Sequence, residues 1–253
     1  MSTETNAFPT HREAELLGQT VVVIGGSAGI GFETARRARA EGAKLIITGR
    51  NSERLRYAAS ELGALSTAAF DATESAPLER FFRELPATID HVMVTAGRPH
   101  YGRIVDMDFE QARRALDEHL MLAIEVARLA ANRVRPGGTL LFMSGTGARR
   151  PGVGRGILST VTAAMPALVA SLAIELAPIR VNLIAPGFVD TPLSASLLGK
   201  GLEDRRNELR AKLPIRRVVG PADVAALAVH MMVNGALTGA TYDIDGGQQL
   251  VGA

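Results

Sequence analysis

The stretch Val21-Val-Val-Ile-Gly-Gly-Ser-Ala-Gly-Ile-Gly31 restricts the fold more than any other part of the chain. Four apolar residues read as a buried strand. A glycine-rich turn follows, and Phe32 to Glu41 reads as a helix. A strand, tight turn and helix in this order bring free backbone N–H groups and the positive end of a helix dipole to one point. That point stabilises a pyrophosphate without any charged side chain. Gly25 permits the turn, Gly29 lets the backbone approach a phosphate, and Gly31 lets the helix lie close to the strand. The alternative is a plain structural turn, because a glycine pattern alone is weak evidence.

The rest of the chain continues the alternation. Further short apolar strands are expected at 44–48, 66–70, 89–95, 139–143, 180–185 and 239–244. Helices are expected between them, with Ser52 capping the second. Two helices are long and apolar: Asp108 to about Arg135, ended by Pro136-Gly137-Gly138, and roughly Ile157 to Ala177. Both are apolar over more of their circumference than one sheet face covers. Pro166 lies inside the second of them. It has no N–H for the Thr162 carbonyl and crowds it, so a kink or local opening is expected there. This alternation implies one doubly wound parallel sheet of about seven strands with helices on both faces. No repeat or linker divides it, so residues 16–253 read as a single domain behind a loose tail at 1–15.

In such folds an acidic residue at the end of the second strand binds the adenosine ribose 2′-OH. Here that place holds Gly49, followed by Arg50. A guanidinium suits a 2′-phosphate, which favours NADP(H) over NAD(H). A solvated loop arginine is the structural alternative.

Several motifs in order resemble those of the short-chain dehydrogenase/reductase family: Gly25-Gly-Ser-Ala-Gly-Ile-Gly31, Asp71, Ala96-Gly97, Pro186-Gly187 with Thr191, and Asp245-Gly246-Gly247. The resemblance runs from about Leu17 to the C-terminus and implies a Rossmann-type fold. It implies cofactor contacts at Gly25, Ser27, Gly29, Ile30, Gly31, Arg50, Asn51, Asp71 and Ala72. Further contacts are implied at Ala96, Gly97, Pro186, Gly187, Val189 and Thr191. Asp71 would meet the adenine ring, and the segment from Pro186 to Thr191 would hold the nicotinamide. Helix caps are the structural alternatives for Asp71 and Thr191. Residues 193–213 resemble the family's mobile lid. Related proteins pair their two long helices between subunits, which implies a homotetramer or homodimer through 108–135 and 157–177.

The catalytic residues depart from the family. Its Ser, its Tyr-x-x-x-Lys pair and the Asn of the preceding helix fall at Gly145, Leu158, Thr162 and His119. The chain has no Tyr between Tyr101 and Tyr242 and no Lys between Lys44 and Lys200, so no shift of alignment restores them. Replacement proton donors are Tyr101, His100 and His119, or water or the substrate itself, with Ser144 placed to orient a carbonyl. A surface loop is the alternative for Tyr101 and His100, and a packed or interface side chain for His119. Arg149, Arg150 and Arg155 flank the pocket edge and suit an acidic substrate, unless they are simply solvated.

The expected activity is therefore an NADP(H)-dependent oxidoreductase acting on a small carbonyl, alcohol or enoyl substrate with a non-standard proton donor. The alternatives are a catalytically silent NADP-binding sensor or assembly partner, and an enzyme of dehydration or isomerisation without net redox. Composition excludes several other classes. With no cysteine there is no disulfide, thiolate chemistry or cysteine-based metal site, and no metal is expected. The net charge of +2 and the scattered arginines do not suit nucleic acid. No apolar run is expected to span a membrane, and no signal segment is read at the start, so a cytoplasmic location is expected.

Overall fold

The computed structural model describes residues 14–251. The tail expected at 1–15 lies outside the described residues as far as position 13. By Leu16 the chain is fixed: this side chain is buried, and its N–H donates to Glu41 O at 3.0 Å.

Seven parallel strands form one sheet: β1 Thr20–Ile24, β2 Lys44–Gly49, β3 Ser66–Ala69, β4 Ile89–Val94, β5 Val134–Met143, β6 Arg180–Pro186 and β7 Thr241–Ile244. Their order is 3-2-1-4-5-6-7. The sheet direction reverses between β1 and β4, and that reversal opens a crevice at the strands' C-terminal ends. Side chains of a strand alternate between faces, so one apolar run feeds two cores. Val22 and Ile24 join Phe142 and Val181 in one core, while Val21 and Val23 join Leu45, Leu141 and Ile184 in the other. Helices α1 Gly29–Ala40, α2 Ser52–Leu62 and α3 Ser75–Glu84 follow the first three strands. They are succeeded by α4 Phe109–Leu116, α5 Leu122–Ala130, α6 Gly156–Glu175, α7 Pro192–Leu198, α8 Leu202–Lys212 and α9 Pro221–Val233.

Four local expectations are corrected. The cap of α2 is Asn51, whose Oδ1 accepts from Arg54 N at 2.8 Å; Ser52 is the first helical residue. The single helix expected over 108–135 is broken by a π-helical turn at Asp117–Met121 and ends at Ala130. Pro136-Gly137-Gly138 belongs to β5, in a bulge between the pairings Ile89–Val134 and His91–Thr139. There Pro136 loses no ladder hydrogen bond, and a Cβ at Gly138 would stand 2.4 Å from Asp90 O, so the crossing requires glycine. Third, α6 runs uninterrupted through Pro166, without the expected opening. Its face Val161, Thr162, Met165, Val169 and Leu172 is buried against β6, and that packing holds the helix across one missing hydrogen bond. Fourth, the 20-residue α6 does have the length and apolarity of a membrane span, with mean hydropathy 2.0 over its most apolar 18-residue window. A helix flanking a sheet can pass the same test, and here most of its circumference lies outside the monomer's core.

Arg180 opens β6 as a buried cation with no carboxylate partner among the described residues. It donates to the carbonyls of Met231, Met232, Asn234 and Leu237 at the end of α9, at 2.7–3.2 Å. The negative end of that helix stands in for a counter-ion.

His91, on β4, is buried beside it. Its Nε2–H donates to Gln19 Oε1 at 2.8 Å, and Nδ1 has no partner. Burial pushes its pKa down to about 4, helped by Arg180 and Arg135 and opposed by Asp90. The unfolded imidazole keeps its ordinary value of 6.5, so on acidification the unfolded chain is protonated first. The neutral ring's contribution is therefore complete above the unfolded value and is lost as pH falls from 6.5 to about 4. The expected loss across that window is about 3 kcal/mol. Chemical denaturation at a series of pH values checks this, and His91→Gln should flatten the slope.

Candidate active site

The glycine turn after β1 is closed around one hydroxyl. Thr95, just past β4, donates through Oγ1 to Ile24 O and Gly25 O at 3.2 and 3.1 Å. A Cβ at Gly25 would lie 2.7 Å from that oxygen, and one at Gly31 would lie 2.5 Å from it and 2.3 Å from Gly25 O. Gly25 also has φ +97°. No side chain fits at either position, and this close approach brings the start of α1 down onto the crevice. Ala28 caps α1 without a side-chain hydrogen bond, and the first turn holds no acid. The donors of Gly29, Ile30 and Gly31 therefore suit an external anion. The sequence reading did not assign Thr95 this role.

At the outer end of the crevice, a Cβ on Gly49 would already lie 2.7 Å from Ser27 Oγ, so an acid there would displace Ser27. Arg50 reaches Asp71 instead, at 3.7 Å. Asp71 accepts from Thr73 N and Oγ1 at 3.0 and 2.8 Å. Burial raises its pKa, but those hydrogen bonds and Arg50 outweigh burial and hold the carboxyl below its ordinary range. Asn51 is occupied as a helix cap, and Ala72 is buried in the core below. A cleft of about 470 Å³ extends from Arg50 and Asp71 to Arg98, His100, Arg114 and Glu118.

At the inner end, Gly187 is pressed against Asp245 and Gln248, where a Cβ would lie 2.4 Å from Gln248 Oε1. That same oxygen accepts from Phe188 N at 2.8 Å. Buried Gln248 thus supports the segment that leaves β6, a role the sequence reading missed. Val189 is bridged to Val219. Thr191 caps α7 by accepting from Ser194 N at 3.2 Å, and a Cβ on Gly29 would touch its methyl at 3.6 Å. The glycine turn and the Pro186–Thr191 segment therefore face one another. Gly97 bends at φ +113° against Glu118 O and the ring of His119.

Three of the four positions to which the resemblance assigns the family's catalytic side chains, Gly145, Leu158 and Thr162, lie close together and carry no titratable group. Thr162 Oγ1 donates back to Leu158 O at 2.8 Å, the local bonding of a helix hydroxyl. Leu158 packs on Gly147, with a Cβ there only 2.9 Å from Leu158 Cγ. Gly145 stands beside Thr162 with ordinary space for a Cβ, its nearest neighbour being Pro186 O at 3.5 Å. A small cavity of about 190 Å³ lies by Gly145, Thr162, Ala163 and Pro166. Ser144 Oγ is buried without a hydrogen-bond partner.

The remaining candidates are dispersed. His119 sits in the π-helical turn, its Nδ1–H donating to Ala115 O at 3.0 Å. Burial lowers its pKa despite that bond and Glu118, so near neutral pH its Nε2 is an acceptor rather than an acid. His100 donates to Glu118 at 3.2 Å and lines the outer cleft with Arg50, away from Leu158. Tyr101 is 61% exposed, on a loop tied to the entry of α6 by Gly102 N to Gly154 O at 2.9 Å. Arg149 pairs with Asp243, and Arg155 donates to Arg150 O at 3.1 Å. Arg150 is half-buried.

The comparisons agree with this geometry. A family model described as enoyl-(acyl carrier protein) reductase matches residues 25–249. The "short-chain dehydrogenase/reductase ATR9" of Stachybotrys chlorohalonatus is 30% identical, over 91% of this chain and 96% of its own. The MalC reductase/Diels-Alderase of Malbranchea aurantiaca superposes with a TM-score of 0.88 at 26% identity, over 94% of this chain and all of the other. A small-chain dehydrogenase in complex with NADPH superposes at 0.79 with 27% identity, over 92% and 99%. The chain belongs to the short-chain dehydrogenase/reductase family, a family of oxidoreductases, of which the second of these structural neighbours holds NADPH.

Gly31→Ala tests the closure around Thr95. Overpacking at a backbone contact of 2.3 Å predicts about 2–4 kcal/mol of destabilisation, read from chemical denaturation.

Proposed function

We propose that the chain is an NADP(H)-dependent oxidoreductase of a small carbonyl, alcohol or enoyl substrate, whose proton does not come from the family's tyrosine. The observation that carries the reading is the contrast within one crevice. Its cofactor walls are tight enough to reject a single methyl group at Gly25 and Gly31, while Leu158 and Thr162 offer no titratable group. The absence of an acid at Gly49, the shortage of space there and the adjacent Arg50 support NADP(H) over NAD(H).

Bound NADPH would supply the hydride. The backbone of Gly29 to Gly31 would hold the pyrophosphate, Arg50 the 2′-phosphate, and Val189 and Thr191 the nicotinamide. Tyr101 and water are the donors that this arrangement favours. A second reading draws on the likeness to a protein described as a reductase/Diels-Alderase. Ring closure of that kind needs a shaped pocket and no proton donor, which a site lined by Leu158 and Gly147 supplies.

A panel of carbonyl and enoyl compounds, with NADPH consumption followed by absorbance, tests the proposal. We expect turnover, with Tyr101→Phe slowing it at least about tenfold if the phenol is the donor and leaving it unchanged if water is. Failure to consume NADPH with any compound, with Tyr101→Phe, His100→Ala and His119→Ala all indistinguishable from the parent, contradicts catalysis. The chain would then be an NADP-binding sensor or assembly partner.

We further propose a homodimer or homotetramer through α4, α5 and α6. Support comes from the narrow buried face of α6 and from exposed Phe109, Ile124 and Ile174. Light scattering should give two or four times 26.7 kDa; a monomer contradicts it.

A further inference from the structure

Residues 193–213 were expected to form a mobile lid, but α8 is docked. Arg206 holds Asp190 with both arms of its guanidinium: Nε to Oδ2 at 2.9 Å and Nη2 to Oδ1 at 2.8 Å. Asp190 lies between Val189 and Thr191, the two residues read as meeting the nicotinamide. Beneath the pair, Leu209 and Leu213 are fully buried against Phe188 and Val218, and Arg205 lies 5.9 Å from the centre of the Phe188 ring. Glu203 accepts from Arg206 Nη1 at 3.1 Å and fixes the guanidinium from the helix side.

Each end of the Pro186–Thr191 segment has its own support. Gln248 holds Phe188 N, and the Thr191–Ser194 capping box holds the start of α7. Asp190 N donates to Val219 O at 2.9 Å. Among the described residues, the Asp190–Arg206 pair is the one side-chain hydrogen-bonded link between α8 and this segment, beside the apolar and cation–π contacts at Phe188. A half-exposed ion pair adds little to global stability. Its two parallel bonds do fix orientation, which a single contact does not.

We propose that Asp190 and Arg206 are positioning residues, which hold Val189 and Thr191 in place for the nicotinamide half of the cofactor and couple the docking of α8 to cofactor binding. This inference rests on the cofactor reading proposed above. Without the pair, the segment would have to be ordered at the moment of binding, and part of the binding free energy would go into ordering it. The cost falls on the nicotinamide half alone, because Arg50, Asp71 and the glycine turn do not touch the pair.

The test compares NADPH with adenosine 2′,5′-bisphosphate, which lacks the nicotinamide, by calorimetric titration of the full chain. The variants are Asp190→Asn, Arg206→Gln and the double variant, each with its melting temperature recorded. We expect each single variant to weaken NADPH roughly tenfold, the double to weaken it no further, and the bisphosphate Kd to stay within about twofold. Melting temperatures should move little. Equal weakening of both ligands, additive losses in the double variant, or unchanged NADPH binding would each overturn the proposal. If the parent chain binds neither ligand, the cofactor reading itself falls, and this inference falls with it. Bisphosphate binding with variants that leave NADPH unaffected overturns this inference alone.

Discussion

The structure depends on the contact between the glycine turn and Thr95. Strands β1 and β4 are neighbours from distant parts of the chain, and the sheet reverses direction between them. At their C-terminal ends the Thr95 hydroxyl bonds Ile24 O and Gly25 O, and Gly31 lies against both Gly25 and that hydroxyl. This contact joins the two halves of the sheet, sets the approach of α1, and leaves the first-turn donors facing the crevice. The opposite wall is built the same way. Gly187 is pressed on Asp245 and Gln248, so the last residues of the chain hold the segment that leaves β6. Both walls rely on a glycine backbone held at contact distance from a neighbouring side chain.

The resemblance assigns the family's tyrosine and lysine to Leu158 and Thr162, in the first turns of α6. Leu158 fills the space over Gly147, and Thr162 bonds within its own helix. The buried face of the helix, Val161, Thr162, Met165, Val169 and Leu172, packs on β6. The crevice walls at Gly25–Gly31 and Pro186–Thr191 are set by other elements, so the proposed reading keeps cofactor binding apart from the first turns of α6. Binding and proton transfer are thus separable in this scaffold, which makes a changed mechanism accessible without a changed fold.

Much of the fold was legible in the sequence because the strands are buried on both faces and read as continuous apolar runs. The glycine spacing gave the crevice, and Gly49-Arg50 gave the character of its outer end. Other features were not legible, for physical reasons. The break at Asp117–Met121 leaves the apolar spacing of the helix nearly intact, since one residue of extra winding hardly shifts a wide stripe. The strand start at Val134 was hidden by Pro136-Gly137-Gly138, a usual terminator that here forms a bulge. The roles of Thr95, Gln248 and the Asp190–Arg206 pair are long-range contacts, with no local pattern to announce them. His100 and Tyr101 are adjacent in sequence yet diverge, one toward Glu118 and Arg50, the other toward solvent.

The central claim is that the cofactor walls are competent although the family's proton donor is gone. Titration of the purified chain with NADPH and, separately, NADH tests it most directly, following the cofactor's own fluorescence; the chain has no Trp to interfere. The account predicts saturable NADPH binding in the micromolar range, roughly −8 kcal/mol, with NADH at least about tenfold weaker. Binding of neither dinucleotide would contradict it, and would mean that the crevice between Gly31 and Thr191 is a structural remnant.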